Sequence, residues 1–231
     1  MNMFKNFLLL STVVFCSSVP GNNETGSKKI MPDPIAHGAQ VLLVYTGSLA
    51  GAKNFNVGIH IIMDTSIGFR YDVAFENGAA VMSHVAIFYK FSNPTQTVTY
   101  NYRTHTSTVN NCCKSPDRDP QLSIVGQETV DSFPCTHLQH TSTSTNFTEV
   151  ADYWVSTKLP GFQQLASVLN SLKSTVPIMP IDKTVFKWGG LVKMMTTYSD
   201  QKHGTQQSTL QLREANTDIQ LRASDFDVPT N

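Results

Sequence analysis

From Gln40 onward, apolar residues recur at every second position, the period of a strand with one buried face. In FNVGIHIIMD (Phe55 to Asp64) one parity carries Val57, Ile59, Ile61 and Met63. The other carries Asn56, Gly58 and His60, with Ile62 as the exception. In GFRYDVAF the same rule puts Phe69, Tyr71, Val73 and Phe75 on one face and Arg70, Asp72 and Ala74 on the other, so the two segments predict a hairpin turning at Asp64 to Ile67. Further strands are predicted at Val41–Thr46, Ala79–Lys90, Gln96–Thr104, Leu122–Thr129, Cys135–Thr141, Glu149–Ser156, Thr184–Tyr198 and Ser208–Glu214. Asn77-Gly78, Asn93-Pro94, Asp117 to Pro120, Asp131-Ser132 and Lys202 to Gly204 supply turn chemistry between them. Successive antiparallel strands at such spacing indicate a sandwich or a barrel.

One segment has the helical period. In PGFQQLASVLNSLKS (Pro160 to Ser174) Phe162, Leu165, Ala166, Leu169 and Leu172 fall three and four apart, and Pro160 stands at the entry, where a missing N–H costs little. A single amphipathic helix beside a large antiparallel sheet must lay its apolar stripe on something, and the concave apolar face of the sheet is the natural surface. Gly189-Gly190 interrupts the predicted strand containing Phe186 and Trp188, which suggests the bulge or bend by which a sheet curls. The expected class is therefore mainly β, a large curled antiparallel sheet with one helix on its concave side.

The N-terminal segment predicts export from the cytoplasm. Met1 to Ser18 has Lys5 as its basic residue and an apolar run from Phe7 to Cys16, far short of the roughly 20 residues of a membrane helix. We read residues 1–18 as a signal peptide, 19–38 as a Gly-, Pro- and Asn-rich flexible arm, and 39–231 as one domain. Cys16 raises the alternative of a lipid anchor, but Phe15 stands where lipidation wants a small residue. The expected location is the periplasm, the cell envelope or the medium. Charged residues make up 15% of the chain against roughly 25% in ordinary domains, and the formal net charge is zero. No basic run exists to attract a phosphate backbone, so nucleic acid is excluded as an expected partner.

Three segments carry a resemblance: IVGQETVDSFPCTHLQH (Ile124 to His140), DYWVSTKLPGF (Asp152 to Phe162) and ASDFDVP (Ala223 to Pro229). Together they resemble an exported bacterial domain family of unassigned function, itself similar in fold to the LolA/LolB type of lipoprotein carrier. The likeness covers roughly Gln40 to Pro229. It implies a half-open β-barrel around an apolar cavity, closed by helix, with a lipid or acyl-chain ligand, or a lipoprotein, as partner. The chain departs from the carriers in offering one strong helix where they use several, and no position matches the arginine that holds their lid. What carries over is an apolar ligand in a curled sheet.

Val57, Ile59, Ile61, Met63, Phe69, Tyr71, Val73, Phe75 and Trp154, with Phe162, Leu165 and Leu169 of the helix, are the candidate cavity lining. The alternative is that the same side chains meet as a solid core, leaving a structural or interaction protein of the envelope. Cys112, Cys113 and Cys135 are the candidates for a disulfide, with Cys135 bonded to Cys112 or Cys113 across a loop of about 22 residues, worth on the order of 3 kcal/mol. Strand alternation puts Cys135 and His137 on one face and His140 on the other, so His137 and His140 cannot chelate together. A zinc set of Cys112, Cys113, Cys135 and His137 would need adjacent cysteines on one tetrahedral ion, and no metal or cofactor is expected. Asp225 and Asp227 are read as terminal sheet residues on one strand face. No nucleophile elbow, zinc-binding helix or phosphate loop is present, and no catalytic residue is assigned.

Overall fold

The computed structural model describes residues 38–48, 55–78, 80–111, 121–171, 184–200 and 204–230, and of 167–171 the backbone alone. The chain forms β1 (Gln40–Ser48), β2 (Phe55–Asp64), β3 (Gly68–Asn77), β4 (Ala80–Lys90), β5 (Gln96–Asn101), β6 (Thr106–Asn111), β7 (Ser123–Val130), β8 (Phe133–Thr143), β9 (Phe147–Ser156), α1 (Phe162–Ser171), β10 (Gly190–Asp200) and β11 (Gly204–Asn216). All eleven strands join one antiparallel sheet in the order β6-β5-β4-β3-β2-β1-β11-β10-β9-β8-β7. Two meanders, β1 to β6 and β7 to β11, are thus fused where β1 pairs β11 in a register that sets Leu43 opposite Ala215. The sheet is not closed, and β6 and β7 are its edges.

Alternation determines what each face carries. On the inner face, β1 contributes Val41, Leu43 and Tyr45, β2 contributes Val57 to Met63 at every second residue, and β9 and β11 add Val155, Leu210 and Leu212, all in one buried cluster. Phe69 stacks on Tyr89 at 5.0 Å between ring centres, and the buried Tyr45 hydroxyl donates to the Leu191 carbonyl at 3.0 Å. Segments at one end of the sheet cover this face. Leu159 and Leu165 join the cluster, as do Val185 and Phe186 of a short 3-10 turn, Val185–Lys187. Two glycines allow that cover to sit close. Gly161 (φ 74°) enters α1 where a Cβ would lie 2.6 Å from the Val41 side chain, and Gly189 (φ 154°) passes Ser156 where a Cβ would lie 2.7 Å from its backbone.

Smaller clusters hold the outer face. The C-terminal segment crosses β2 to β4: Leu221 and Phe226 pack with Ile62, Ile67 and Ile219, Val228 packs with Ala86, Phe88 and Tyr100, and Lys90 pairs with Asp227. In the other meander, Cys135, Trp154 and Val192 are buried together, with Val130, Phe133 and Met195 against them. The β7–β8 hairpin turns through Asp131 (φ 47°) and Ser132 (φ 67°), the left-handed pair that a two-residue hairpin loop demands, here without glycine. Its tip reaches β11, where Gln211 Nε2 donates to Asp131 Oδ2 at 2.6 Å.

Several boundaries differ from expectation for physical reasons. Thr184 to Lys187 is not strand: Val185 and Phe186 are both buried in a 3-10 turn, and β10 begins only at Gly190. Gly189-Gly190 therefore starts the strand instead of bending it. The predicted Gln96–Thr104 strand ends at Asn101, whose side chain accepts from the Arg103 and Thr104 backbone and closes a turn into β6. Asp225 and Asp227 are not on a strand. Asp225 accepts from the Arg222 N–H at 2.7 Å to cap the 3-10 turn Ala223–Phe226, which Asp227 follows. The signal peptide, most of the arm, and Cys112 and Cys113 lie outside the described residues.

Candidate binding face

The inner face gathers most of the predicted lining. Val57, Ile59, Ile61, Met63, Phe69 and Tyr71 are buried members of the main cluster, and Val73, Phe75 and Phe162 are half-buried against it, with Leu165 buried beside them. Cross-strand register accounts for this, since Val57, Ile59, Ile61 and Met63 stand directly opposite Phe75, Val73, Tyr71 and Phe69. Packing is tight where the cover lies: Ile61, Met63 and Phe69 are each 1% exposed. Half-buried inner-face positions on the strands include Val73, Phe75, Ile87 and Met194. The Leu169 side chain lies outside the described residues.

Trp154 is a correction, because it faces the opposite way. On β9, Tyr153 and Val155 take the inner side, so Trp154 projects outward into the cluster with Cys135 and Val192. Its indole N–H donates to Glu128 Oε1 at 2.5 Å, His137 stacks on it at 4.4 Å, and Lys193 Nζ lies 4.6 Å from its ring centre. His137 Nε2 is 2.9 Å from Asp152 Oδ1, to which Gln139 also donates at 2.9 Å, while His137 Nδ1 is 3.4 Å from Glu128. The imidazole is thus held between two carboxylates and an aromatic face. The Cys135 thiol beside it is buried and has no disulfide partner among the described residues. Burial pushes it up, a backbone hydrogen bond at Val130 opposes, and Glu128 and Asp131 push it further up. That environment favours the neutral thiol over a nucleophilic thiolate. Among the described residues no three His, Cys, Asp or Glu side chains are arranged to hold a metal ion.

The other meander repeats this plan on its outer face. Arg70 pairs with Asp72 at 2.7 Å and donates to the Tyr102 hydroxyl at 2.6 Å, while His84 stacks on Tyr102 at 4.1 Å. Desolvation would lower the guanidinium, but Asp72, aided by Tyr102 and Asp225, carries it above its ordinary value.

Sequence reasoning missed a set of polar residues on the inner face, at the end of the sheet away from α1. Glu149 stands opposite Tyr198 on β10 and Ser142 on β8, and Ala151 stands between Thr196 and His140. Thr196 and Ser208, themselves cross-strand partners, are both buried. Burial raises the Glu149 carboxyl, which His140 partly offsets, and burial raises the Tyr198 hydroxyl, with Glu149 and Tyr153 adding to it. The signal was available in FTEVADYWVS, where Glu149 shares its parity with Ala151, Tyr153 and Val155, a charge in the buried phase of a strand.

No protein-family profile matches the chain, and no curated protein matches it. Solved structures do. An outer membrane lipoprotein-sorting protein domain from Vibrio parahaemolyticus is 10% identical, over 82% of this chain and 89% of that one, with a TM-score of 0.32. A LolA superfamily protein from Nitrosomonas europaea is 8% identical, over 85% and 91%, with a TM-score of 0.26.

Proposed function

We propose that this is an exported, non-enzymatic β-domain that binds a lipid or another apolar ligand on the inner face of its open sheet. One observation supports the reading above others. Towards α1 the inner face is apolar across both meanders, from Tyr89 on β4 to Leu138 on β8, while α1 contributes Phe162 and Leu165 as its helical cover. A ligand would lie against the half-buried Val73, Phe75, Ile87 and Met194, leaving the packed residues beneath undisturbed. Binding would draw on roughly 25 cal/mol per Å² of apolar surface removed from water. Val57, Ile59, Ile61, Met63, Phe69 and Tyr71 would form the floor of this site. A disulfide from Cys135 to Cys112 or Cys113 belongs to the same proposal and would tie the segment before β7 to β8.

A second reading follows from the packing itself. Side chains as enclosed as Ile61, Met63 and Phe69 suit a solid core, and the function would then be interaction through exposed surfaces. Native mass spectrometry without reductant, on mature protein produced by export, separates the two. The ligand reading expects extra mass that is lost on denaturation and fragments as lipid. A bare polypeptide mass that gains nothing on incubation with lipid micelles overturns it in favour of the second.

A further inference from the structure

We propose that the polar end of the inner face is a head-group subsite, which takes the hydroxyl, ester or amide end of an uncharged amphiphile whose acyl chain lies on the apolar part. The inference rests on the ligand reading above. Register puts Glu149, Tyr198 and His140 on the same face as Tyr153, Val155 and Leu138, so one continuous surface runs from apolar at the α1 end to polar at the other. An amphiphile has the same division along its length.

The polar groups are also available. His140 Nδ1 approaches the Gln121 carbonyl at 3.3 Å, but Glu149 and the Tyr198 hydroxyl make no hydrogen bond among the described residues. A half-buried carboxyl and phenol without such partners are costly unless something else supplies them. The chemistry favours an uncharged head. Burial disfavours charge on the Glu149 carboxyl, so a carboxylate or phosphate head would add a second negative charge beside it, whereas a hydroxyl, ester or amide adds none.

Two probes with the same acyl chain test this: monooleoylglycerol and oleate, each titrated into the full mature protein at pH 8 and read by displacement of a fluorescent fatty-acyl dye. The wild type should prefer the glycerol ester by about tenfold, because the anionic head meets a like charge. Glu149→Gln should keep ester affinity and strengthen oleate binding until the preference largely vanishes. Tyr198→Phe should weaken the ester by about fivefold and leave oleate unchanged. Equal binding of both probes by the wild type, or a preference that neither variant moves, overturns the subsite and leaves the ligand reading standing. Binding of neither probe removes that reading, and the subsite with it.

Discussion

The two faces of the sheet are built differently. Outside its polar end, the inner face is one cluster of hydrocarbon and aromatic side chains drawn from both meanders. The outer face is broken into separate patches, each combining a few apolar residues with charged and stacked groups, as in Arg70–Asp72–Tyr102–His84 and Glu128–His137–Asp152–Trp154. The inner face depends on enclosed volume, with each residue contributing through the contacts it fills. Outer patches depend on satisfied polar partners, so their residues act in groups.

The largest expected effect is on the inner side. Phe69→Ala should cost about 3–5 kcal/mol, since it removes a ring that is 1% exposed and stacked on Tyr89. Urea denaturation measures it. A loss under 1 kcal/mol would mean that the core there collapses freely and that the face is not tightly packed.

Asp72→Ala should cost less, about 1–3 kcal/mol, because Arg70 keeps the Tyr102 hydroxyl and part of its side chain reaches solvent. It should also couple to Tyr102→Phe by about 0.5–1 kcal/mol in a double-mutant cycle. Strict additivity would deny that the outer patch acts as a unit.

Glu149→Gln should have the smallest effect, and its sign is informative. Burial raises the folded-state carboxyl above its unfolded value, so the stability linked to its proton is complete at low pH and is lost as pH rises through the folded value. The variant should therefore be more stable than wild type at pH 8, with the difference closing as pH falls below the ordinary carboxylate range. Denaturation curves at the two ends of that window check it, and a variant less stable than wild type at pH 8 would place Glu149 in a favourable ion pair.

This contrast also explains what could be read from the chain. The β2–β3 hairpin was legible because Val57 to Met63 and Phe69 to Phe75 alternate cleanly, with the apolar parity turned to the main cluster. In DYWVS both parities are apolar or buried, so period alone could not tell which way Trp154 points. Val185 and Phe186 were misread as strand because adjacent apolar residues buried in a 3-10 turn look like part of a buried strand. β6 was missed as a separate strand because TSTVNN is largely exposed and carries no apolar alternation. The outer patches were not legible at all. Their partners return from far along the chain, as when Asp225 and Asp227 reach Arg70 and Lys90, and no local pattern announces such a meeting. The polar end of the inner face lay between these cases, visible as an out-of-phase Glu149 but without its β10 partner.

The most direct test of the ligand account is photo-crosslinking with a monoacylglycerol carrying a diazirine near the end of its acyl chain, followed by peptide mapping of the adducts. The account predicts labelling of inner-face positions, with Phe75 and Met194 foremost, and loss of that labelling in Phe75→Asp protein that still unfolds cooperatively. Adducts confined to outer-face residues, or labelling that Phe75→Asp leaves unchanged, would contradict it.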